Sequence, residues 1–202
     1  MDQNYLGIHQ KKLWSGTTVI FLDESGYSLI PFVARTWALK GEVPALYHSW
    51  GSRRKLSVIS GIAVKYRNNE LDTQLNFRIH PGKSISTKEV IEFFYQLNRQ
   101  IDGKRLLVWD NLSTHKSVRV KKFFKRHFEF ESIYLPPYCP ELNPDEGVWN
   151  WTKTKNLANM CPESGEILVH LVRGSLRKIQ RRKSLHIASL KGSELPWGML
   201  LN

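Results

Sequence analysis

The chain has 202 residues, and 30 Lys and Arg against 18 Asp and Glu leave a formal charge of +12. At this length one core buries roughly 70% of the unfolded chain's surface, so no covalent or metal staples are needed, and 41% apolar with 24% charged residues excludes a disordered chain. Cys139 and Cys161 are too few for a disulfide framework or a CxxC zinc site, while the basic excess points to a polyanion, most simply nucleic acid.

Residues 1–15 are polar and mixed and read as an N-terminal arm. Thr17 to Leu22 is an unbroken β-branched and apolar run, the pattern of a strand buried on both faces. Asp23-Glu24-Ser25-Gly26 reads as the turn after it, and Tyr27 to Phe32 resumes an extended pattern, so a hairpin is expected. Residues 55–66 form a third β-rich run with Gly61 as a candidate bulge. Leu71, Thr73, Leu75, Phe77 and Ile79 alternate onto one face of a half-buried strand.

Helical spacing then takes over. Val90, Phe94, Leu97 and Ile101 share a face, with Ser86 and Glu89 as a capping box. Leu106 to Trp109 is a short buried strand ending at Asp110. From His115 to Phe128, Val120, Phe123 and Phe124 lie opposite a basic face carrying Arg119, Lys121, Lys122, Lys125 and Arg126. Ile133 to Leu135 is a further strand stopped by two prolines. Asn143-Pro144 opens a helix, cap first and proline next. Leu168, Leu171, Leu176 and Ile179 mark a last long helix with Arg173, Arg177, Lys178, Arg181 and Arg182. Strands first, then helices alternating with strands, predict a mixed α/β sheet with helices on its faces.

Asp23 and Asp110 each follow a buried strand, and Asp145-Glu146 sits in the first turn of a helix. Ligands of open α/β sheets gather at strand ends. Carboxylates converging there repel one another unless something compensates them. Hard divalent cations such as Mg²⁺ or Mn²⁺ suit carboxylate oxygens, and a pair of them serves phosphodiester displacement. Singly, each acid also fits a turn or a helix start.

The blocks FLDESG (21–26), RTWALKGEVP (35–44), LLVWDNLSTH (106–115) and LPPYCPELNPDEGVW (135–149) resemble the catalytic domain of mariner-type bacterial insertion-sequence transposases, members of the DDE superfamily of endonucleases. The resemblance runs from about residue 17 to about 158, and the last block is its most specific part. It implies an RNase H-like fold, a mixed β-sheet flanked by α-helices. It makes Asp23, Asp110 and Glu146 the catalytic carboxylates and the ligands of two Mg²⁺ or Mn²⁺ ions. Asp145 competes with Glu146 for the third place, and Glu24 more weakly with Asp23, since neighbouring strand residues point to opposite faces. The implied enzyme is a transposase that nicks DNA at transposon ends and transfers the freed 3′-hydroxyl into target DNA, in relatives at a TA dinucleotide.

DNA-contacting candidates are Arg53, Arg54 and Lys55 before a strand, His115, Lys153 after Glu146, and the terminal Arg177, Arg181 and Arg182. Trp149 and Cys139 read as packing residues. The expected organisation is the arm 1–15, a DDE catalytic domain over 16–160, and a basic helical extension over 161–202 packed on that domain. Only 22 residues precede Asp23, so a separate or frameshift-fused helix-turn-helix polypeptide is expected to recognise transposon ends, with a homodimer on DNA. The alternative is a catalytically silent DNA-binding or regulatory remnant. No apolar run reaches the roughly 20 residues that span a bilayer, and no leader pattern opens the chain, so a cytoplasmic location without membrane attachment is expected.

Overall fold

The computed structural model describes residues 3–48 and 55–197. Five strands form one sheet: β1 (Thr18–Tyr27), β2 (Leu56–Arg67), β3 (Glu70–Pro81), β4 (Arg105–Trp109) and β5 (Phe130–Tyr134), in spatial order β3-β2-β1-β4-β5. β2 is antiparallel to both of its neighbours, β1 and β3, whereas β4 and β5 run parallel to β1. Among the described residues, six α-helices accompany them: α1 (Gln3–Trp14), α2 (Thr87–Gln100), α3 (Val118–Arg126), α4 (Asp145–Asn150), α5 (Gly165–Gln180) and α6 (Lys183–Gly192). A π-helical stretch, Trp151–Asn156, continues α4.

β1 separates two apolar layers because its side chains alternate. Val19 and Phe21 pack with Val148 and Trp149 of α4, Leu168, Val172 and Leu176 of α5, and Leu190 of α6. Ile20 and Leu22 pack with Phe93, Phe94 and Leu97 of α2, Trp109 of β4, and Val120 and Phe123 of α3. The expected mixed α/β sheet with helices on both faces is the one observed. Residues beyond position 160 share the core of the first layer.

Several local expectations change. The arm is the helix α1, anchored by the fully buried Leu13 and by Lys12, which pairs with Glu131 at 2.5 Å. Asp23 to Gly26 is no turn: these residues continue β1, because Ser57 to Ser60 of β2 lie opposite and supply its ladder bonds. Tyr27 ends β1, and the residues from Ser28 to Phe32 make no hairpin with it; Phe32 bridges to Ala158 instead. Gly61 is not a bulge but sits in regular register opposite Leu22. A Cβ there would come within 3.0 Å of Ile20 Cγ2, so a closely packed neighbour requires the glycine. The sharp hairpin is at Asn68 and Asn69, whose φ angles of 50° and 62° fit a two-residue turn with both central residues left-handed. The long C-terminal helix stops at Arg181 and a second helix, α6, follows.

Candidate functional site

Strand register brings the first two acids together. β1 and β4 pair in parallel up to Phe21 opposite Val108. Two residues further on, Asp23 and Asp110 emerge side by side at the same end of the sheet. Alternation sets Asp23 on the face covered by α4, because Phe21 belongs to that layer, while Asp110, just past the end of β4, turns its carboxylate to His115. Glu24 takes the opposite face.

α4 brings the third. Asn143 caps it: its Oδ1 accepts the Asp145 N–H at 3.2 Å and its Nδ2 donates to Leu22 O at 3.3 Å. Pro144 follows with helical φ and ψ, so cap and proline serve as the sequence predicts. The same bond to Leu22 ties the start of α4 to β1, one residue before Asp23. Glu146 is exposed, whereas Asp145 is wholly buried and receives a bond from Ser60 Oγ at 2.5 Å. Burial first, then the charges of Asp23 and Glu146, push the Asp145 carboxyl well above its ordinary range, against the opposing bond from Ser60. Asp145 is thus closed to solvent in this arrangement and Glu146 is open to it.

The electrostatics couple the acids. Burial first, then the charge of Glu146, and least that of Asp110 raise the Asp23 carboxyl to about 7. Bonds from the Glu24 backbone and from Trp149 oppose that rise; Trp149 Nε1 donates to Asp23 Oδ2 at 2.9 Å. Trp149 is therefore a core residue with a polar task, which its apolar helix position alone does not reveal. Lys153 stands beside the pair. Its ammonium lies 5.5 Å from the Tyr27 ring centre and 5.6 Å from that of Phe32. Burial lowers its pKa, against the attraction of Glu146 and Asp23.

His115 has a different place from the one expected of a DNA contact. Its side chain is 2% exposed, its ring stacks on Trp109 at 4.0 Å, and carboxylates hold both nitrogens. Nδ1 lies 2.8 Å from Asp110 Oδ1, and Nε2 lies 3.2 Å from Glu24 Oε1. Burial alone would depress the imidazole; the bonds to Asp110 and Glu24 outweigh it and push His115 up to about 9. With both nitrogens engaged and the ring covered, no phosphate can reach it. Glu24 is the functional neighbour that the sequence reading underrated: strand alternation gave its direction, but nothing in the sequence paired it with His115.

The basic candidates spread out. Lys55 is exposed just before β2, at the carboxylate end of the sheet. Arg53 and Arg54 lie outside the described residues. Arg177, Arg181 and Arg182 are exposed around the α5–α6 junction. There Gln180 bonds to Leu75 O at 2.8 Å and Lys183 pairs with Asp72 at 2.6 Å, near the opposite end of the strands. The fold does not bring these three arginines to the carboxylates.

Asp23, Asp110 and Glu146 offer only hard oxygen ligands, the donor set for Mg²⁺ or Mn²⁺. Their charges meeting on Asp23 fit a cation that would relieve the repulsion. Among the described residues, no group of three His, Cys, Asp or Glu stands close enough to hold an ion. Among the described residues, no helix is long and apolar enough to cross a membrane.

Comparison of the sequence with curated proteins finds no match. Solved structures do match in fold. The Mos1 strand transfer complex aligns with a TM-score of 0.57 at 13% identity, over 95% of this chain and 59% of that one. The Mos1 paired-end complex with the left transposon end gives 0.55 at 14%, over 95% and 60%. A pre-cleavage Mos1 transpososome gives 0.56 at 14%, over 93% and 60%. The chain thus spans about 60% of the length of these proteins. The family described as DDE superfamily endonuclease matches residues 18–168, from the first residue of β1 into α5 and across all three carboxylates. With that span and an RNase H-like mixed sheet bearing Asp23 within β1 and Asp110 just past β4, the chain belongs to the DDE superfamily endonucleases.

Proposed function

We propose that the protein is the catalytic part of a transposase, cutting DNA strands at transposon ends and joining them to target DNA. The observation that carries this reading is the meeting of Glu146 and Asp110 charge on Asp23, at the sheet end that the family match spans. Asp23, Asp110 and Glu146 would hold two divalent cations, Mg²⁺ or Mn²⁺. Such ions supply an activated oxygen nucleophile and stabilise the departing one.

The chain's own residues prepare that site. Trp149 fixes one oxygen of Asp23 and leaves the other for ligation. His115 holds one oxygen of Asp110, and Glu24 braces His115 from behind. Lys153 adds positive charge beside Glu146, where a scissile phosphate would lie. In cleavage, a water oxygen bonds to phosphorus and the 3′-oxygen leaves as a hydroxyl. In strand transfer, that 3′-hydroxyl replaces water and a target 3′-oxygen leaves.

In this reading a helix-turn-helix polypeptide, separate or frameshift-fused, recognises the ends. The solved relatives similar in fold include complexes with a transposon end. Lys55, Arg53, Arg54, Arg177, Arg181 and Arg182 would track DNA backbone outside the cut. A homodimer on DNA is favoured by the segment between β1 and β2, where Trp37 is 99% exposed and Val43 90% exposed. Large apolar groups held in solvent mark association surfaces. The two free cysteines suit a reducing cytoplasm.

Supercoiled plasmid with Mn²⁺ tests the reading. Nicking abolished by chelator and by Asp110→Asn supports it. Salt-sensitive binding without nicking, in wild type and Asp110→Asn alike, overturns it in favour of a silent DNA-binding remnant.

A further inference from the structure

The sheet face opposite α4 carries a feature that the three carboxylates do not use. α2 and α3 lie side by side there and enclose a groove of about 310 Å³. Its floor is Ile91, Tyr95 and Phe123, with the Tyr95 and Phe123 rings meeting edge to face at 5.4 Å. Lys88 rises on one wall, and Arg119, Lys122 and Arg126 on the other. All four cations are exposed, and among the described residues none has an acidic partner within ion-pair distance. The one acid of the groove, Glu92, is already matched by Arg78 at 2.9 Å.

We infer that this groove is a second DNA surface, binding the sugar–phosphate backbone of a duplex without reading its sequence. Three arguments favour that occupant. Arg119, Lys122 and Arg126 lie three and four residues apart on one helix face, so they form a straight row. With a rise of about 1.5 Å per residue the row spans about 10.5 Å, roughly three base-pair rises of about 3.4 Å along the duplex axis. The row also starts at the right place. α3 opens shortly after Asp110, so Arg119 stands towards the carboxylate end of the sheet and Arg126 at the far end. DNA leaving the carboxylates across this face would therefore meet the row in order. Finally, a groove with four unmatched cations and a matched acid attracts a polyanion rather than an apolar peptide.

The inference rests on the DNA reading proposed above, and binding in chelator separates the two because no cleavage occurs there. The full chain is titrated with a 30-base-pair duplex of arbitrary sequence over a range of NaCl concentrations. The variants are Arg119→Gln/Lys122→Gln/Arg126→Gln, the charge-preserving Arg119→Lys/Arg126→Lys, and Lys121→Gln/Lys125→Gln from the remaining surface of α3. Each lost phosphate contact should reduce the log–log salt slope by about 0.9. The triple variant is expected to lose two to three such steps and bind at least about tenfold more weakly at 0.1 M salt. The lysine variant should bind as wild type, and the Lys121/Lys125 pair should lose less than one step. An unchanged slope in the triple variant overturns the inference, as does an equal loss per charge in the Lys121/Lys125 pair. Loss of binding to polyglutamate alone, with DNA binding intact, overturns it in favour of an acidic protein partner. Failure of plasmid nicking in wild type with this salt behaviour intact would sink the catalytic reading and leave the groove standing.

Discussion

Trp149 donates its indole N–H to Asp23 across 126 residues of sequence, and at 2.9 Å this bond joins α4 to β1 at the carboxylates. The bond favours ionised Asp23, against burial and the charges of Glu146 and Asp110, which favour the neutral acid. Trp149→Phe keeps most of the packing and removes the donor. The removal should destabilise the fold by about 1 kcal/mol. It should also weaken Mn²⁺ binding by roughly 10-fold or more, because residues that orient a ligand are worth that much. Calorimetric titration with Mn²⁺ measures it, and unchanged affinity would mean that the bond is only structural.

Asp23 gives the site a defined pH response. Its folded value of about 7 lies above the ordinary 3.8, so between those limits the folded chain binds more protons than the unfolded one. Stability without cations therefore falls as pH rises from about 4 to about 7, then levels with respect to this group. Cations compete with that proton, so the rise in melting temperature caused by Mn²⁺ should be larger at pH 8 than at pH 6. Asp23→Asn should raise the metal-free melting temperature at pH 8 and abolish the response to Mn²⁺. Melting curves at the two pH values check both.

His115 gives a separable prediction. His115→Phe retains a ring against Trp109 but loses the contacts at 2.8 Å to Asp110 and 3.2 Å to Glu24. A loss of about 1–3 kcal/mol in stability is expected, since Glu24 is left without its partner. The imidazole's raised value of about 9 makes that stabilisation complete below its ordinary 6.5 and lost as pH climbs through 9. The stability gap between wild type and His115→Phe should narrow over that window. A constant gap between pH 6 and pH 10 would rule out the charged bridge.

Gly147 sets the distance between α4 and α6. A Cβ there would fall 2.5 Å from Ser189 Oγ and 3.0 Å from Ser189 Cα. Gly147→Ala must therefore push the helices apart, costing about 1–3 kcal/mol and displacing the adjacent Glu146. Nicking should fall more than stability alone explains. Adding Ser189→Gly should restore part of both, and strict additivity in this double-mutant cycle would refute the steric account.

The strands beside Asp23 and Asp110 were legible because an apolar run followed by an acid is a local pattern. Ser86 and Glu89 form the expected capping box for the same reason, with Ser86 Oγ accepting from Lys88 N. What escaped depends on partners distant in sequence. Asp23 to Gly26 carries turn-forming residues, yet the facing stretch of β2 holds it extended. Leu13 reveals α1 as part of the fold only through the core that it enters. The short α6 hides after the basic junction at Arg181 and Arg182, and His186 there bonds to Ile179 O at 3.0 Å. His115 reads as a polar loop residue until Trp109 and Glu24 are seen around it. Asp145 and Glu146 are adjacent acids that the fold separates by burial, closing the first to solvent and leaving the second open.

The two-sided burial of β1 also governs which mutations this chain survives. Val19 and Phe21 face one apolar layer, Ile20 and Leu22 the other. Deleting one residue between Thr18 and Leu22 would exchange both layers and turn Glu24 towards α4 while Asp23 met His115. Substitutions along β1 can be graded by size, but a length change there has no mild form. For folding alone, insertions and deletions should therefore be tolerated in the segment between β1 and β2 and rejected within the strand itself.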